Sequence, residues 1–227
     1  PAKLGGHCFI LIATMAFLTV VDLFAAQALL PALAERYGVT PSIMGLAVNA
    51  STLGMAIAGL AVAMTRWEGQ RRTAISSCLA LLAVPTLLLA VAPNIEVFAG
   101  LRVIQGLIMA TAFSLTLGYM ADRYAASIVA SAFAAYITGN VASNFFGRLI
   151  SVAVYDHSGL SSAFVALATL NLLGTGLALR LFSGETRKTP ADKSKGVWRA
   201  QLSDPALRSA FLIGFLILFA FLGVFTY

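Results

Sequence analysis

The stretch Cys8–Leu30 reads CFILIATMAFLTVVDLFAAQALL, and Asp22 is the one charged residue among its 23 positions. Crossing the hydrocarbon core of a bilayer, about 30 Å thick, takes about 20 mostly apolar residues in a helix. The apolar core of a signal peptide is shorter, and a small-residue cleavage site follows it, which this sequence lacks. The stretch therefore predicts a transmembrane helix that carries a carboxylate inside the membrane.

Six further apolar runs of similar length follow the first one. Prolines and short polar clusters separate them, as is usual at helix ends. Membrane strands are disfavoured because each run is twice as long as such a strand needs to be, roughly 9–11 residues, and lacks polar–apolar alternation. We expect seven membrane-spanning helices near residues 8–30, 41–64, 73–92, 97–120, 128–155, 160–182 and 208–227.

The composition supports an all-α, polytopic membrane protein. Hydrophobic residues make up 59 % of the chain and charged residues 11 %, whereas a soluble domain carries about 25 % charged residues. The net charge of +6 does not indicate a nucleic-acid partner, because most basic residues lie in short segments between apolar runs, so the lipid bilayer is the expected partner. Cys8 and Cys78 lie within apolar runs, and we predict no disulfide, metal site or cofactor.

The basic residues predict the orientation and the domains. Consecutive connections between spans lie on opposite sides of the membrane, and 12 of the 15 lysines and arginines fall on one side. Because basic residues are enriched on the cytoplasmic side, this bias indicates a cytoplasmic N-terminus. Because the sequence begins at Pro1 and ends at Tyr227 inside an apolar run, we expect a fragment of a longer chain. We predict a six-helix domain, a basic cytoplasmic linker and a seventh helix that starts a second domain, over residues 1–182, 183–207 and 208–227.

Two opposite charges are predicted at nearly the same depth in the membrane. Asp22 lies 14 residues into its span, about 21 Å from the cytoplasmic edge, and Arg102 lies about 22 Å from the same edge. Ionised groups in hydrocarbon are costly and by default mark a functional site. We expect Asp22 to carry a proton, because a carboxylate can titrate, and Arg102 to act as its fixed positive partner.

Neutral polar side chains lie within a few turns of that level. Amides in membrane helices either line a cavity or hydrogen-bond between helices, and the pattern leaves both open. Gly139, Ser143 and Gly147 recur at four-residue spacing, which lets two backbones approach closely. Arg148 is interpreted as reaching the outer interface from the end of its span. The candidate cavity residues are Asn49, Gln105, Asn140 and Asn144.

Three segments resemble motifs of the major facilitator superfamily, in particular its bacterial drug and metabolite efflux members. RVIQG at residues 102–106 resembles the R-x-x-Q-G motif, whose arginine is associated with proton coupling. Asp22 with ALLP at residues 28–31 is similar to a signature of proton-coupled drug exporters. GNVASNFFGR at residues 139–148 is similar to the glycine-rich antiporter motif, although the usual Gly-Pro pair is absent.

The connection between the second and third spans is similar to the superfamily's G-x-x-x-D-R-x-G-R-R motif. Thr65 stands at the aspartate position, and either Glu68 or Asp122, which follows Gly118 in a similar pattern, is a substitute. Plain anchoring of positive charges to the cytoplasmic side is the alternative. The resemblance implies a cytoplasmic gate that consists of Arg66, Gly69, Arg71, Arg72, Asp122 and Arg123.

The resemblance implies twelve spans in two six-helix halves, with the substrate site between the halves near the midplane. This chain then corresponds to the N-terminal half plus the seventh helix, and the missing C-terminal half is its expected partner. The implied function is alternating-access transport, specifically proton-coupled efflux of a small organic molecule across a bacterial inner membrane. The alternatives are an uptake permease or uniporter for a sugar or organic anion, and a non-transporting assembly subunit.

Other classes of membrane protein fit the sequence poorly. All the lysines lie outside the spans, so no buried amine can form a retinal Schiff base. His7 and His157 fall near opposite membrane faces and cannot share a metal ion. Since no phosphate-binding loop or nucleophile elbow is present, we do not expect an enzyme.

Overall fold

The structure is a computed structural model, and it describes residues 5–64, 71–181, 203–206, 208–209, 212–214, 216 and 220. All regular elements in these ranges are helices. The chain divides into two compact units, Pro1–Lys188 and Thr189–Tyr227, and the second unit contains the described part of the predicted seventh span, which is helical. The first unit holds α1 (Gly6–Ala28), α2 (Leu30–Tyr37), α3 (Pro41–Met64), α4 (Arg71–Ala90), α5 (Ile95–Arg123) and α6 (Ala126–Leu181).

Five of these helices, α1 and α3 to α6, are long and apolar enough to cross a membrane. The 56 residues of α6 would extend about 84 Å if straight, which is far more than one crossing requires. Gly159 interrupts α6 with φ 82° and ψ 175°, a conformation that favours glycine. The helix therefore consists of two segments, 126–158 and 160–181, in line with the predicted fifth and sixth spans, and the all-α polytopic fold is confirmed.

The short helix α2 differs from the sequence prediction, in which Pro31 only marked the end of the first span. A proline fits the first turn of a helix, where its missing N–H group would have no intrahelical partner. At the other end, Gly38 adopts a left-handed conformation with φ 62°. Arg36 and Tyr37 donate hydrogen bonds to the carbonyl oxygens of Ala90 and Ala92, so α2 is attached to the end of α4.

The small residues at four-residue spacing, Gly139, Ser143 and Gly147, lie against α1. A side chain added at Gly139 would overlap the backbone of Ala13, and one added at Gly147 would lie 3.1 Å from a methyl carbon of Val21. Ser143, between the two glycines, is fully buried. Because residue numbers rise together along both helices, α1 and the first segment of α6 run parallel.

A second parallel pair consists of α3 and α5. A side chain at Gly54 would overlap the backbone of Val103, and one at Gly106 would overlap the backbone of Ser51. Each helix therefore contributes one glycine to the contact. Both close pairs combine a helix from the first three spans with a helix from the last three, which is the arrangement expected of two inverted three-helix repeats.

We predict that Gly106→Ala lowers the free energy of unfolding by about 1–3 kcal/mol, because the added methyl group must push α5 away from α3. Thermal unfolding of the full-length protein in detergent would measure this change. Gly100→Ala is the matched control on the same helix, since nothing lies within 4 Å of its added carbon. Equal unfolding temperatures for the two variants would contradict the assigned contact.

Candidate functional site

The side chain of Asp22 is buried within α1 and accepts hydrogen bonds from three other helices. Its Oδ2 atom lies 2.6 Å from the Thr86 hydroxyl of α4, 2.9 Å from the Asn171 amide nitrogen of α6 and 3.1 Å from the Gln105 amide nitrogen of α5. Its Oδ1 atom is also buried but has no hydrogen-bond partner. Four helices therefore meet at one carboxylate oxygen, and the second oxygen is left unpaired.

The guanidinium of Arg102 lies beside this carboxylate and is fully buried. It donates to the side-chain oxygen of Gln105 at 2.7 Å and to the backbone oxygen of Asp22 at 3.3 Å. Two further bonds reach α3, at the backbone oxygen of Val48 (2.9 Å) and the hydroxyl of Ser51 (3.0 Å). Arg102 thus connects α1, α3 and α5.

The two charges lie in one cluster, but Gln105 stands between them. Its side-chain oxygen accepts from Arg102 while its side-chain nitrogen donates to the Asp22 carboxylate, and the described residues contain no direct ion pair between the charges. Because α3 supplies two acceptors, the guanidinium is oriented toward that helix. Asp22 is 1 % exposed and Arg102 0 % exposed, so this structure encloses both charges.

Sequence reasoning missed two of the three donors to the Asp22 carboxylate, Thr86 and Asn171. Both are fully buried, and the Asn171 amide nitrogen also lies 3.2 Å from the Thr86 hydroxyl. The available signal was a neutral polar side chain within an apolar run, which is a common sign of interhelical hydrogen bonding. Threonine is also frequent in helices without such a role, so the sequence did not single out these positions.

The other candidate cavity residues lie apart from the buried cluster. Of the four candidates, only Gln105 belongs to the cluster. The side-chain oxygen of Asn49 accepts a hydrogen bond at 3.3 Å from Gln27 of α1. Asn140 and Asn144 lie half-buried, one turn apart, on the first segment of α6. The assignment of these residues to a substrate cavity stays a prediction.

At the predicted cytoplasmic end, Arg71 at the start of α4 forms an ion pair with Asp122 near the end of α5. The guanidinium packs over Gly118, where an added side chain would lie 3.2 Å from it. Arg72 donates to the backbone oxygen of Leu179 at 3.3 Å. Arg123 is the last residue of α5, and the remaining predicted gate residues, Arg66 and Gly69, lie outside the described residues.

Comparisons with known proteins identify the family of the chain and its fold. The profile of the Major Facilitator Superfamily matches residues 12–227, and the chain belongs to this family of membrane transport proteins. A crystal structure of a bacterial homologue of the human lysosomal transporter Spinster, in an inward-facing and occupied conformation, has the same fold. Its TM-score is 0.67 at 16 % sequence identity, and the match covers 82 % of this chain and 46 % of that one.

Three relatives are similar over most of this chain. An uncharacterised transporter of Buchnera aphidicola subsp. Schizaphis graminum is 24 % identical over 90 % of this chain, and the MFS-type transporter YybF of Bacillus subtilis is 25 % identical over 93 %. The inner membrane transport protein YnfM of Escherichia coli is 24 % identical over 92 %. The matches cover 51 %, 53 % and 51 % of these relatives, so the chain spans about half of their length.

We predict that Arg102→Met destabilises the full-length protein by about 3–5 kcal/mol, because it leaves the buried Asp22 carboxylate without a nearby positive charge. The same substitution should lower the free energy of unfolding by a smaller amount in the Asp22→Asn background. A double-mutant cycle, followed by denaturant unfolding in detergent, measures the difference. Asp156→Asn, at an exposed position of α6, is the control background, and equal costs in the Asp22→Asn and Asp156→Asn backgrounds would refute the coupling.

Proposed function

We propose that this chain forms the N-terminal half of a proton-coupled transporter that exports a small organic molecule across a bacterial inner membrane by alternating access. The supporting observation is the Asp22 carboxylate, which is buried, bonded to donors on three helices and separated from Arg102 by Gln105. In this proposal Asp22 carries the proton and Arg102 stays positively charged throughout the cycle.

Protonation of Asp22 would act on the packing of the half-bundle. Hydrogen bonds to an ionised acceptor are about twice as strong as those between neutral groups. Neutralising the carboxylate therefore weakens the bonds from Thr86, Gln105 and Asn171 in one step, and each donor lies on a different helix. The unpaired Oδ1 atom offers a position for the incoming proton. A proton taken up at this atom would thus change the relative stability of two arrangements of the helices.

In this proposal the ion pair Arg71–Asp122 acts as a cytoplasmic gate. It joins the beginning of α4 to the end of α5, about 30 Å along α5 from Arg102. Both side chains are about one-third exposed, so the pair contributes little stability and can break at a small cost. In this proposal it forms when the cytoplasmic side is closed and breaks when that side opens.

Everted membrane vesicles that contain the full-length protein would test the proposal. Respiration acidifies their lumen, a fluorescent pH probe reports it, and small organic cations, carboxylates and sugars are added outside. An exporter that exchanges substrate for protons should make the lumen more alkaline when its substrate is added. We expect Asp22→Asn to abolish this response and Asp156→Asn, an exposed control with the same chemical change, to preserve it.

The other outcomes separate the alternatives. Further acidification would indicate proton symport, which is an uptake permease. Movement of a compound without a pH change would indicate a uniporter for a sugar or organic anion. No response to any compound would favour a non-transporting assembly subunit. An undiminished proton response in Asp22→Asn would remove Asp22 from the coupling role even if the protein is a transporter.

We further predict that Arg71→Asp and Asp122→Arg each slow the proton flux by up to about fivefold, the equivalent of about 1 kcal/mol, because like charges then face each other. The combined substitution restores the opposite charges and should recover most of the flux. The vesicle assay measures all three variants. If the double variant is as slow as either single one, the pair does not act as a gate.

A further inference from the structure

We propose that Arg148, together with Gln27, forms a binding subsite for the anionic group of the transported molecule, so that the substrate is a small organic acid. This inference rests on the proposed transport function only in assuming that there is a transported molecule. It names a substrate class and a residue that the cycle of Asp22 and Arg102 does not use.

The guanidinium of Arg148 turns toward α1 rather than toward the outer interface. Its Nη2 atom donates to the side-chain oxygen of Gln27 at 2.9 Å, and the side-chain nitrogen of Gln27 donates to Asn49 of α3 at 3.3 Å. The helix continues for about 16 Å beyond Arg148 before Gly159 interrupts it. The interpretation that Arg148 reaches the interface is therefore replaced by an interhelical contact within the bundle.

Most of the hydrogen-bonding capacity of Arg148 is unused. A guanidinium carries five N–H donors, and the Gln27 oxygen is the acceptor that the described residues give it. Its Nε atom is buried and unpaired. No carboxylate of the described residues forms an ion pair with it. By contrast, the fully buried Arg102 has four acceptors, so the two membrane arginines have different surroundings.

The surroundings of Arg148 favour a polar cavity over contact with lipid tails. Asn140 and Asn144 precede it at four-residue spacing, so the three side chains share one face of α6, and all three are half-buried. The neighbouring exposed face of the same helix is apolar, with Val141, Phe145 and Leu149 67 %, 62 % and 52 % exposed, so the polar side chains form a separate face beside it. Charged and amide groups inside a membrane face a cavity or another part of the protein, because hydrocarbon cannot hydrogen-bond to them.

The geometry points to an anion because a guanidinium with free, planar donors can hold a carboxylate or phosphate through two parallel hydrogen bonds. Gln27 accepts from Nη2 of the guanidinium, and the buried Nε has no acceptor in the described residues. A neutral or cationic substrate would leave the positive charge without compensation. A carboxylate would satisfy both the charge and the unpaired donors.

Thermal unfolding of the purified full-length protein with matched pairs of compounds tests this inference without any proton flux. The pairs are benzoate and benzamide, nicotinate and nicotinamide, and succinate and succinamide. We expect at least one acid, but not its amide, to raise the unfolding temperature. Arg148→Gln should weaken the apparent affinity for that acid about tenfold to a hundredfold, and Arg180→Gln, at an exposed position of α6, should leave it unchanged.

A second variant keeps the test decisive if Arg148→Gln folds poorly. Gln27→Glu places a carboxylate beside the guanidinium, so it should abolish stabilisation by the acid while it preserves or raises the unfolding temperature without ligand. The subsite would be overturned if no acid raised the unfolding temperature, or if each acid and its amide raised it equally. It would also be overturned if the acid stabilised Gln27→Glu as much as the unmodified protein. In a delipidated sample, stabilisation through Arg148 by phosphatidylglycerol alone would identify a lipid phosphate instead and also overturn it.

These outcomes are independent of the vesicle experiment. Suppose that an acid binds through Arg148 while the Asp22→Asn variant retains its full proton response. This combination would support the subsite and reject the role of Asp22 in coupling. Loss of the proton response in Asp22→Asn together with a response to sugars or cations alone would support proton coupling and reject the acid substrate.

Discussion

The arrangement of the described helical bundle depends on one buried carboxylate oxygen. Oδ2 of Asp22 accepts hydrogen bonds from α4, α5 and α6, and the backbone of the same residue accepts one from Arg102, which in turn bonds to α3. The helices α1, α3, α4 and α5 and the second segment of α6 therefore each have a side chain or backbone group in this network. Burying such a charge is favourable only while its donors remain in place, so the position of each helix is constrained by the others.

The same network explains why the charges can coexist inside a membrane protein without direct pairing. An ion pair between Asp22 and Arg102 would satisfy both groups but would hold the carboxylate ionised. With Gln105 interposed, the positive charge stays near while one carboxylate oxygen remains unpaired. The amide is polar at both ends and so transmits a change at the carboxylate to the guanidinium and from there to α3. This geometry is compatible with a group that gains and loses a proton.

Much of this architecture could be predicted from the sequence, because lipid imposes simple rules. Long apolar runs predict the spans, and charges within them are rare enough that Asp22 and Arg102 were recognisable at once. The depths of Asp22 and Arg102 in the membrane followed from the helical rise per residue alone. What could not be predicted depends on which face of each helix meets a neighbour. Thr86 and Asn171 look ordinary until α4 and α6 are seen to pack against α1, and the direction of Arg148 depends on the side chain of Gln27. Pro31 illustrates a different ambiguity, since a proline ends one helix or begins the next equally well.

The glycine contacts restrict how this bundle can deform. In each parallel pair the two backbones touch without intervening side chains, at Gly54 and Gly106 in one pair and at Gly139 in the other. Surfaces so close cannot slide past each other by small steps, because any axial shift brings the next, larger residue against the opposing carbonyl groups. Each pair must therefore tilt as a single rod. Gly159, where α6 is interrupted, is instead a break at which the chain can bend without separating the packed backbones.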